Sequence, residues 1–556
     1  MERKILTSCD IIFTIFLALA FTAAPYYIND GNCKVTLGFI LSSISVAVVL
    51  LFIVYVLRKF LSEYNWNEDK YTLKLAVYWN KLLLGDHATL WIAMIIFASW
   101  LIPLCFLYPG TFINDTWNEL EQFINFTNGS GILSDHHPVF DTFVMSIFIV
   151  PLSQITGRWH IMIFIYVLLQ AVLTSLAFAN TANYALKKLN IGIRITTILI
   201  LSYCLLPVFP AAVQTVSKDA LHSWGFTFFI VLYIELVRTN GIVIKEKGFL
   251  LKFLLTISYC CLTKKVCFYV VFLSLLTAIA FIKRNRKYLL IPLGASILLM
   301  NVIMPIVKAN LHISPGGKQE MFSLPFQMTA RYVKYYGDDI TDEEYEVLDK
   351  VLTMETLADR YNPTNADPVK DYYQKAEDKY YAKYIKVWIK QGLRHPGVYI
   401  SAFNSMLSGW FSWNEYAPLM NNDWRSLHNT ELIPEWVPIR GISDGTANAY
   451  QEMYHNLYNT PVIRIFLSYG FYASLLPAFA VCTVLRKWRI KEIKYWLAIV
   501  PNLFALMLGC WLAPVSYHLE GKRYLYPVVY TIPIIIVWCL YIYKSNKSTV
   551  ENLPSN

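Results

Sequence analysis

At 556 residues, 56% hydrophobic and only 15% charged, the chain is too apolar for a soluble protein, since soluble domains carry about 25% charged and 45–50% apolar residues. The formal net charge of +10 does not point to nucleic acid, because the basic residues sit in short loops between apolar runs, the positive-inside pattern of an integral membrane protein. Nearly all of the ten cysteines lie in apolar stretches, so neither a disulfide framework nor a Cys-based metal site is expected.

In chain order, Glu2-Arg3-Lys4 leads into an apolar run that looks like a signal peptide. No small-residue cleavage site follows, so it reads as an uncleaved first span. The apolar runs predict an all-α polytopic protein with about twelve transmembrane helices. The expected spans are Ile11–Tyr27, Val35–Leu57, Leu90–Leu107, Ile161–Leu186, Ile195–Phe209, Leu221–Val237, Phe249–Leu262, Val266–Ile282, Tyr288–Val307, Val462–Leu485, Tyr495–Ala513 and Leu525–Tyr543. With Arg3 and Lys4 inside, Arg58/Lys59, Lys187/Lys188, Lys245/Lys247, Lys283–Lys287, Arg486–Lys491 and Lys544/Lys547 all fall inside as well. That consistency requires two apolar stretches, Val139–Ile155 and Val398–Trp413, to lie in the outer interface rather than cross. Both termini are then cytoplasmic, and the membrane is expected to be a bacterial plasma membrane.

Four regions follow. Residues 1–88 hold two spans and a cytoplasmic loop, and 89–309 a membrane module with an outer loop at 108–160. Residues 310–460 form a mostly helical extracytoplasmic segment, and 461–556 the last spans. In the third, Thr341-Asp342-Glu343-Glu344 is a capped helix start with an acidic first turn, Asp371–Gln391 reads as a helix, and Asn421–Thr460 as a loop-rich lid.

The outer face collects ionisable residues from distant segments. Asp115 and Glu119 are four apart, on one helix face that Gln122 continues. They could hold a divalent cation, Mg or Mn, through oxygen; one could serve as a base raised by its neighbour; or the stretch is an ordinary solvated loop. His136-His137-Pro138 brings two imidazoles that could donate to phosphate, ligate a metal or cap the next helix. Ser217-Lys218-Asp219 places an ion pair where a span re-enters the membrane, an expensive and usually functional position. Lys264, Lys265, His518, Lys522 and Arg523 add outward positive charge suited to a lipid phosphate or to anionic headgroups. Gln327 and Arg331 share one face of an outer helix and could meet an acceptor. Three Asn-X-Ser/Thr matches at Asn114, Asn125 and Asn128 carry no weight.

These residues together resemble the GT-C class of integral membrane glycosyltransferases, including protein mannosyltransferase-like and aminoarabinose transferase-like enzymes. Asp115 with Glu119 matches its acidic residue after an early span, His137-Pro138 its His-Pro step, Lys218-Asp219 its second acidic loop, and Leu262-Thr263-Lys264 its Leu-Thr-Lys, over Leu90 to Ile282. Over most of its length the chain is similar to uncharacterised bacterial polytopic proteins, through Tyr108-Pro109-Gly110…Asp115, Asp135-His136-His137-Pro138, Ser217-Lys218-Asp219, Pro325-Phe326-Gln327…Ala330-Arg331-Tyr332 and Lys522-Arg523-Tyr524…Pro527. The class has a proline pair where this chain has Pro138-Val139, and two extra spans precede Leu90. The resemblance implies inverting transfer of a sugar from a polyprenyl phosphate to an outer glycan, glycolipid or cell-wall polymer. Asp115 is then the favoured base, and Glu119 and Asp219 shape the site or hold a metal. Lys218, Lys264, Lys265, His518, Lys522 and Arg523 bind donor phosphate, and His136, His137, Gln122, Gln327 and Arg331 meet substrate. A flippase for polyprenyl-linked glycans and a non-catalytic envelope scaffold are the alternatives.

Overall fold

The structure is a computed structural model that describes residues 5–64, 74–374, 378–413, 444–486, 493–512 and 519–551. His518, Lys487 to Lys491 and most of the expected lid lie outside the described residues. The protein is a multi-pass, all-α membrane protein. The helices are α1 (Ser8–Asp30), α2 (Leu37–Glu63), α3 (Lys74–Leu84), α4 (Ala88–Phe106), α5 (Asn114–Thr127), α6 (Val139–Thr156), α7 (Trp159–Lys187), α8 (Ile193–Leu205), α9 (Val208–Val213), α10 (Lys218–Arg238), α11 (Lys247–Thr263) and α12 (Lys265–Phe281). Later come Arg286–Asn310, Phe471–Leu485, Lys494–Trp511 and Lys522–Ser545.

Among the described residues, nine helices are long and apolar enough to cross a bilayer: α1, α2, α4, α6, α7, α10, Arg286–Asn310, Lys494–Trp511 and Lys522–Ser545. The predicted spans at Ile195–Phe209, Phe249–Leu262 and Val266–Ile282 fold as the shorter α8, α11 and α12. Helices α11 and α12 have 17 residues each, about 25 Å at helical rise. Val462–Leu485 is not continuous: Pro461–Phe466 ends at Leu467 before the helix resumes as Phe471–Leu485. In the predicted loop before Leu90, α3 appears instead.

Burial separates the axis of the bundle from its rim. In α10 and Lys522–Ser545, 78% of the apolar window is buried, against 11% in α2. At the centre Phe178 stacks on Tyr203 with ring centroids 4.0 Å apart and meets Tyr530 edge-on at 5.1 Å. Helix α6, predicted to lie in the interface, is nonetheless one of the nine. Its Phe140 packs on Tyr259 near the end of α11, and its far end turns through Gly157 straight into α7. The start of α7 in turn meets Tyr108, just past α4, through His160 with ring centroids 6.3 Å apart, so both ends of α6 lie near the segments that carry the polar cluster described below. Pro396–Leu407, within the other predicted interfacial stretch, has 12 residues, too few to span; the 3-10 turn after it buries Trp410 against Tyr469.

Residues 323–407 build a second hydrophobic core, with Phe326, Ala330, Leu348, Leu352 and Tyr384 at its centre. Two residues expected to meet substrate are structural here. Gln327 is buried and donates to the carbonyls of Asn362 and Asn365 at 2.6 and 3.0 Å. Arg331 is buried and donates to the Tyr361 hydroxyl at 2.9 Å. Their i,i+4 spacing marks a helix face turned inward.

The opposite end of the bundle is tied by a buried ion triad. Asp10, in the capping box that starts α1, accepts from Arg58 at 2.9 Å and from Arg486 at 3.1 Å. Arg58 also donates to Thr483 and Tyr543, both at 2.6 Å. Two arginines predicted as loop charges are thus helix-to-helix ties. Removing one partner of a buried pair costs about 3–5 kcal/mol, whereas removing both charges is far milder. Arg58→Met is therefore expected to lower the melting temperature in detergent sharply, and Arg58→Met with Asp10→Asn to recover part of that loss. Equal melting of wild type and single variant would show that the triad contributes nothing.

Candidate functional site

The loop after α4 and the loop before α10 are joined by a two-stranded parallel pair, β1 (Thr111–Phe112) with β2 (Thr215–Val216). The approach is close. Gly110, at φ +124°, would place a Cβ 2.8 Å from Val167 Cγ2 and 3.0 Å from the Gln214 carbonyl, so no larger residue fits. The Thr116 hydroxyl donates to the Val216 carbonyl at 2.6 Å, and Gln170 of α7 donates to the carbonyls of Val213 and Thr215. This stitching fixes Asp115, in the first turn of α5, against Lys218, at the start of α10.

Around that junction six predicted residues meet. The Asp115 carboxylate accepts from Lys218 Nζ at 3.1 Å and from Arg523 at 2.5 Å. Asp219 accepts from Lys264 Nζ at 2.5 Å and pairs with Arg523 Nε at 3.2 Å. Arg523 thus bridges two carboxylates from different helices, a task for its planar fork. Lys264 reaches Asp219 because it stands at the break between α11 and α12, in extended backbone with φ −150°. His137 completes the ring: its Nδ1 is 2.5 Å from Lys218 Nζ and its Nε2 3.9 Å from Asp115. An ammonium has only donors, so Nδ1 accepts and the imidazole is neutral. Burial and the Lys218 charge push the His137 pKa down to about 2.

Burial alone would raise the pKa of Asp115, but Lys218 and Arg523 outweigh it and hold that carboxyl well below the usual range. One turn along α5, Glu119 is 1% exposed and accepts from the Thr142 hydroxyl at 2.9 Å. Burial, helped by Asp115, pushes its pKa up to about 7. Asp141 of α6 is fully buried beside Tyr166, with neither carboxylate oxygen hydrogen-bonded among the described residues. Asp141 stands in an otherwise apolar stretch, and an acid there is the sequence signal that could have drawn it into the site.

A raised acid pKa favours the folded state most below the unfolded value, and that advantage is lost as pH rises through the folded one. For Glu119 the window runs from the ordinary value of 4.5 to about 7, and the shift corresponds to about 3 kcal/mol. Wild-type protein in detergent should therefore melt at progressively lower temperature between pH 5 and 7, while Glu119→Gln should show a flatter profile. Identical slopes would show that the Glu119 pKa is not raised in the folded protein.

Other predicted site residues make their contacts around the ring rather than in it. Lys265 donates to the Asp135 carbonyl and pairs with the Asp135 carboxylate at 3.1 Å, which Lys308 joins at 2.7 Å. Gln122 accepts from the Ser134 backbone at 3.1 Å and so shapes the loop. Lys522 is buried beside Arg523 in the Leu519–Leu525 turn. A polar cleft of about 360 Å³ lies over the ring, lined by Asp115, Asn118, Gln122, Asn125, His136 and His137 among others. Three cations, Lys218, Lys264 and Arg523, face two carboxylates, Asp115 and Asp219, leaving one positive charge while Glu119 is protonated and before Lys522 is counted. An excess of fixed cations suits an anion and opposes Mg or Mn at Asp115 and Glu119.

A family model described as "Family of unknown function (DUF6020)" matches residues 123–552. The match begins after Asp115 and Glu119 and takes in the other members of the ring. No curated protein and no solved structure matches the chain.

Proposed function

We propose that this chain, which belongs to the DUF6020 family, is an integral membrane glycosyltransferase of the GT-C kind that moves a sugar from a polyprenyl phosphate to an acceptor outside the membrane. In this reading it has twelve spans, both termini are cytoplasmic, and the ring lies at the outer surface of a bacterial plasma membrane. The supporting observation is the ring itself, a cationic cluster at the bundle end whose carboxylate Asp115 lines an open polar cleft.

The chemistry needs three things at once. An acceptor hydroxyl in the cleft gives its proton to Asp115 while its oxygen attacks the anomeric carbon. The bond from that carbon to the lipid phosphate breaks, and the phosphate departs with the electron pair. Lys218, Lys264 and Arg523 take up the charge that develops on it, where preorganised donors count most. Before the donor binds, the same cations hold Asp115 ionised. A bound phosphate draws on Lys218 and Arg523, which weakens their hold and makes Asp115 a better proton acceptor. Asn118, Asn125 and His136 supply the polar lining that would grip the acceptor.

The decisive experiment offers purified protein in detergent a panel of polyprenyl-phosphate sugars with labelled sugar and membrane-extracted acceptors. Label transfer from one donor carries the reading. Absence of transfer from every donor, with the ring-forming protein intact, sinks it in favour of transport or scaffolding.

A further inference from the structure

We propose that His222, Cys260 and Cys267 form a buried binding site for a thiophilic d10 metal ion, with Zn(II) the best match. The three residues come from three helices beneath the ring. His222 is on α10, three residues after Asp219; Cys260 is in the last turn of α11; Cys267 is in the first turn of α12. All are buried, at 1%, 0% and 3% exposure. One ligand atom from each lies within 4.8 Å of the others. Zn–S and Zn–N bonds of about 2.3 and 2.0 Å put tetrahedral ligand atoms about 4 Å apart, so small rotamer adjustments close the site.

A second feature singles out a ligand-competent histidine. The Thr263 hydroxyl lies 2.8 Å from the Tyr259 carbonyl and 2.7 Å from His222 Nδ1. With that hydroxyl donating to the carbonyl, it accepts from Nδ1–H, and in this tautomer Nε2 keeps its lone pair. Metal-bound histidines are oriented in this way, through the ring nitrogen that does not bind. Two thiols and one such imidazole are a soft-to-borderline donor set, suited to Zn(II) or Cu(I) and unsuited to Mg or Ca. Binding deprotonates the thiols and releases their protons to solvent. Three protein ligands leave a fourth position for a small ligand.

The consequence is mechanical. Cys260 and Cys267 flank Lys264, the residue at the break between α11 and α12 that reaches Asp219. An ion shared with His222 would clamp that break to α10 and hold the Lys264–Asp219 pair in register. This inference is independent of the glycosyltransferase reading, because the clamp would serve any use of the ring.

The test uses full-length protein purified in detergent under reducing conditions, loaded with Zn(II) alone, passed over chelating resin and assayed for metal. About one equivalent per chain should remain, and Cys260→Ser and Cys267→Ser should each retain less than a tenth of that. Cys261→Ser, a buried thiol outside the trio, should retain it all. Co(II) loaded in place of Zn(II) should give a thiolate charge-transfer band in the wild type, which needs no variant to interpret. Metal content unchanged in the Cys260 and Cys267 variants, a wild type that retains almost no metal and shows no such band, or a Cys260–Cys267 disulfide found by mass spectrometry after preparation under reducing conditions would each overturn the site.

Discussion

Asp115→Asn is expected to lower sugar transfer by about 10²–10⁴-fold, the range over which a positioned base contributes, at unchanged protein level. Asparagine keeps the shape and can still accept from Lys218 or Arg523, but it cannot take the acceptor proton. Because Lys218 and Arg523 hold the Asp115 carboxyl far below the usual range, its own titration should not appear in kcat/KM above pH 5. A limb near pH 7, if present, belongs to Glu119, whose pKa is about 7, and Glu119→Gln should remove it. A transporter or scaffold with an inert Asp115 loop would pass its function through the substitution unharmed. The two readings therefore part on a single variant, provided that transfer and membrane level are measured on the same preparation.

The residues that could be read as a site from sequence are those whose cost in an apolar chain is visible without a fold. Asp115, His137, Lys218, Asp219, Lys264 and Arg523 are ionisable groups at the ends of apolar runs, and burying such groups unpaired is prohibitive. They had to find partners, and in the structure they find one another. Sequence does not carry the stitch that makes the meeting possible, two residues of parallel strand between loops about a hundred residues apart. It also hides the His222–Cys260–Cys267 trio, because cysteine is a common apolar-core residue and the spacing follows no metal-binding pattern. Gln327 and Arg331 mislead for the converse reason. A polar pair at helical spacing looks exposed until the neighbouring core shows it to be a hydrogen-bonded interior tie.

The apolar runs mark most of the long helices, since length and hydropathy alone determine what can cross a bilayer. They fail where a tertiary contact cuts a run, as at Leu467 before Phe471–Leu485. They cannot orient α6, whose 18 residues are long enough to cross while Phe140 at its start meets Tyr259 and His160 just past its end meets Tyr108. Charge bias predicts its orientation only indirectly, through the loops that follow.

Arg523→Lys should be nearly as damaging to transfer as Asp115→Asn, and for a different reason. Arg523 is 2.5 Å from Asp115 and 3.2 Å from Asp219 through two nitrogens of one rigid fork. A lysine brings the same charge as a single point and cannot serve both carboxylates. The ring would lose its bridge but keep its net charge, so transfer should fall by about 10²-fold, the scale of one preorganised electrostatic group, with a raised KM for the polyprenyl-phosphate donor. Arg523→Ala should also destabilise the protein, by about 3–5 kcal/mol, because fully buried Asp219 would keep only part of its compensation. Pairing Arg523→Met with Asp219→Asn removes both charges together and should restore most of the melting temperature while leaving transfer absent. Recovery of both stability and transfer in the double variant would mean that Arg523 serves the fold alone. Recovery of stability without transfer would show that the Arg523–Asp219 pair serves transfer as well as the fold.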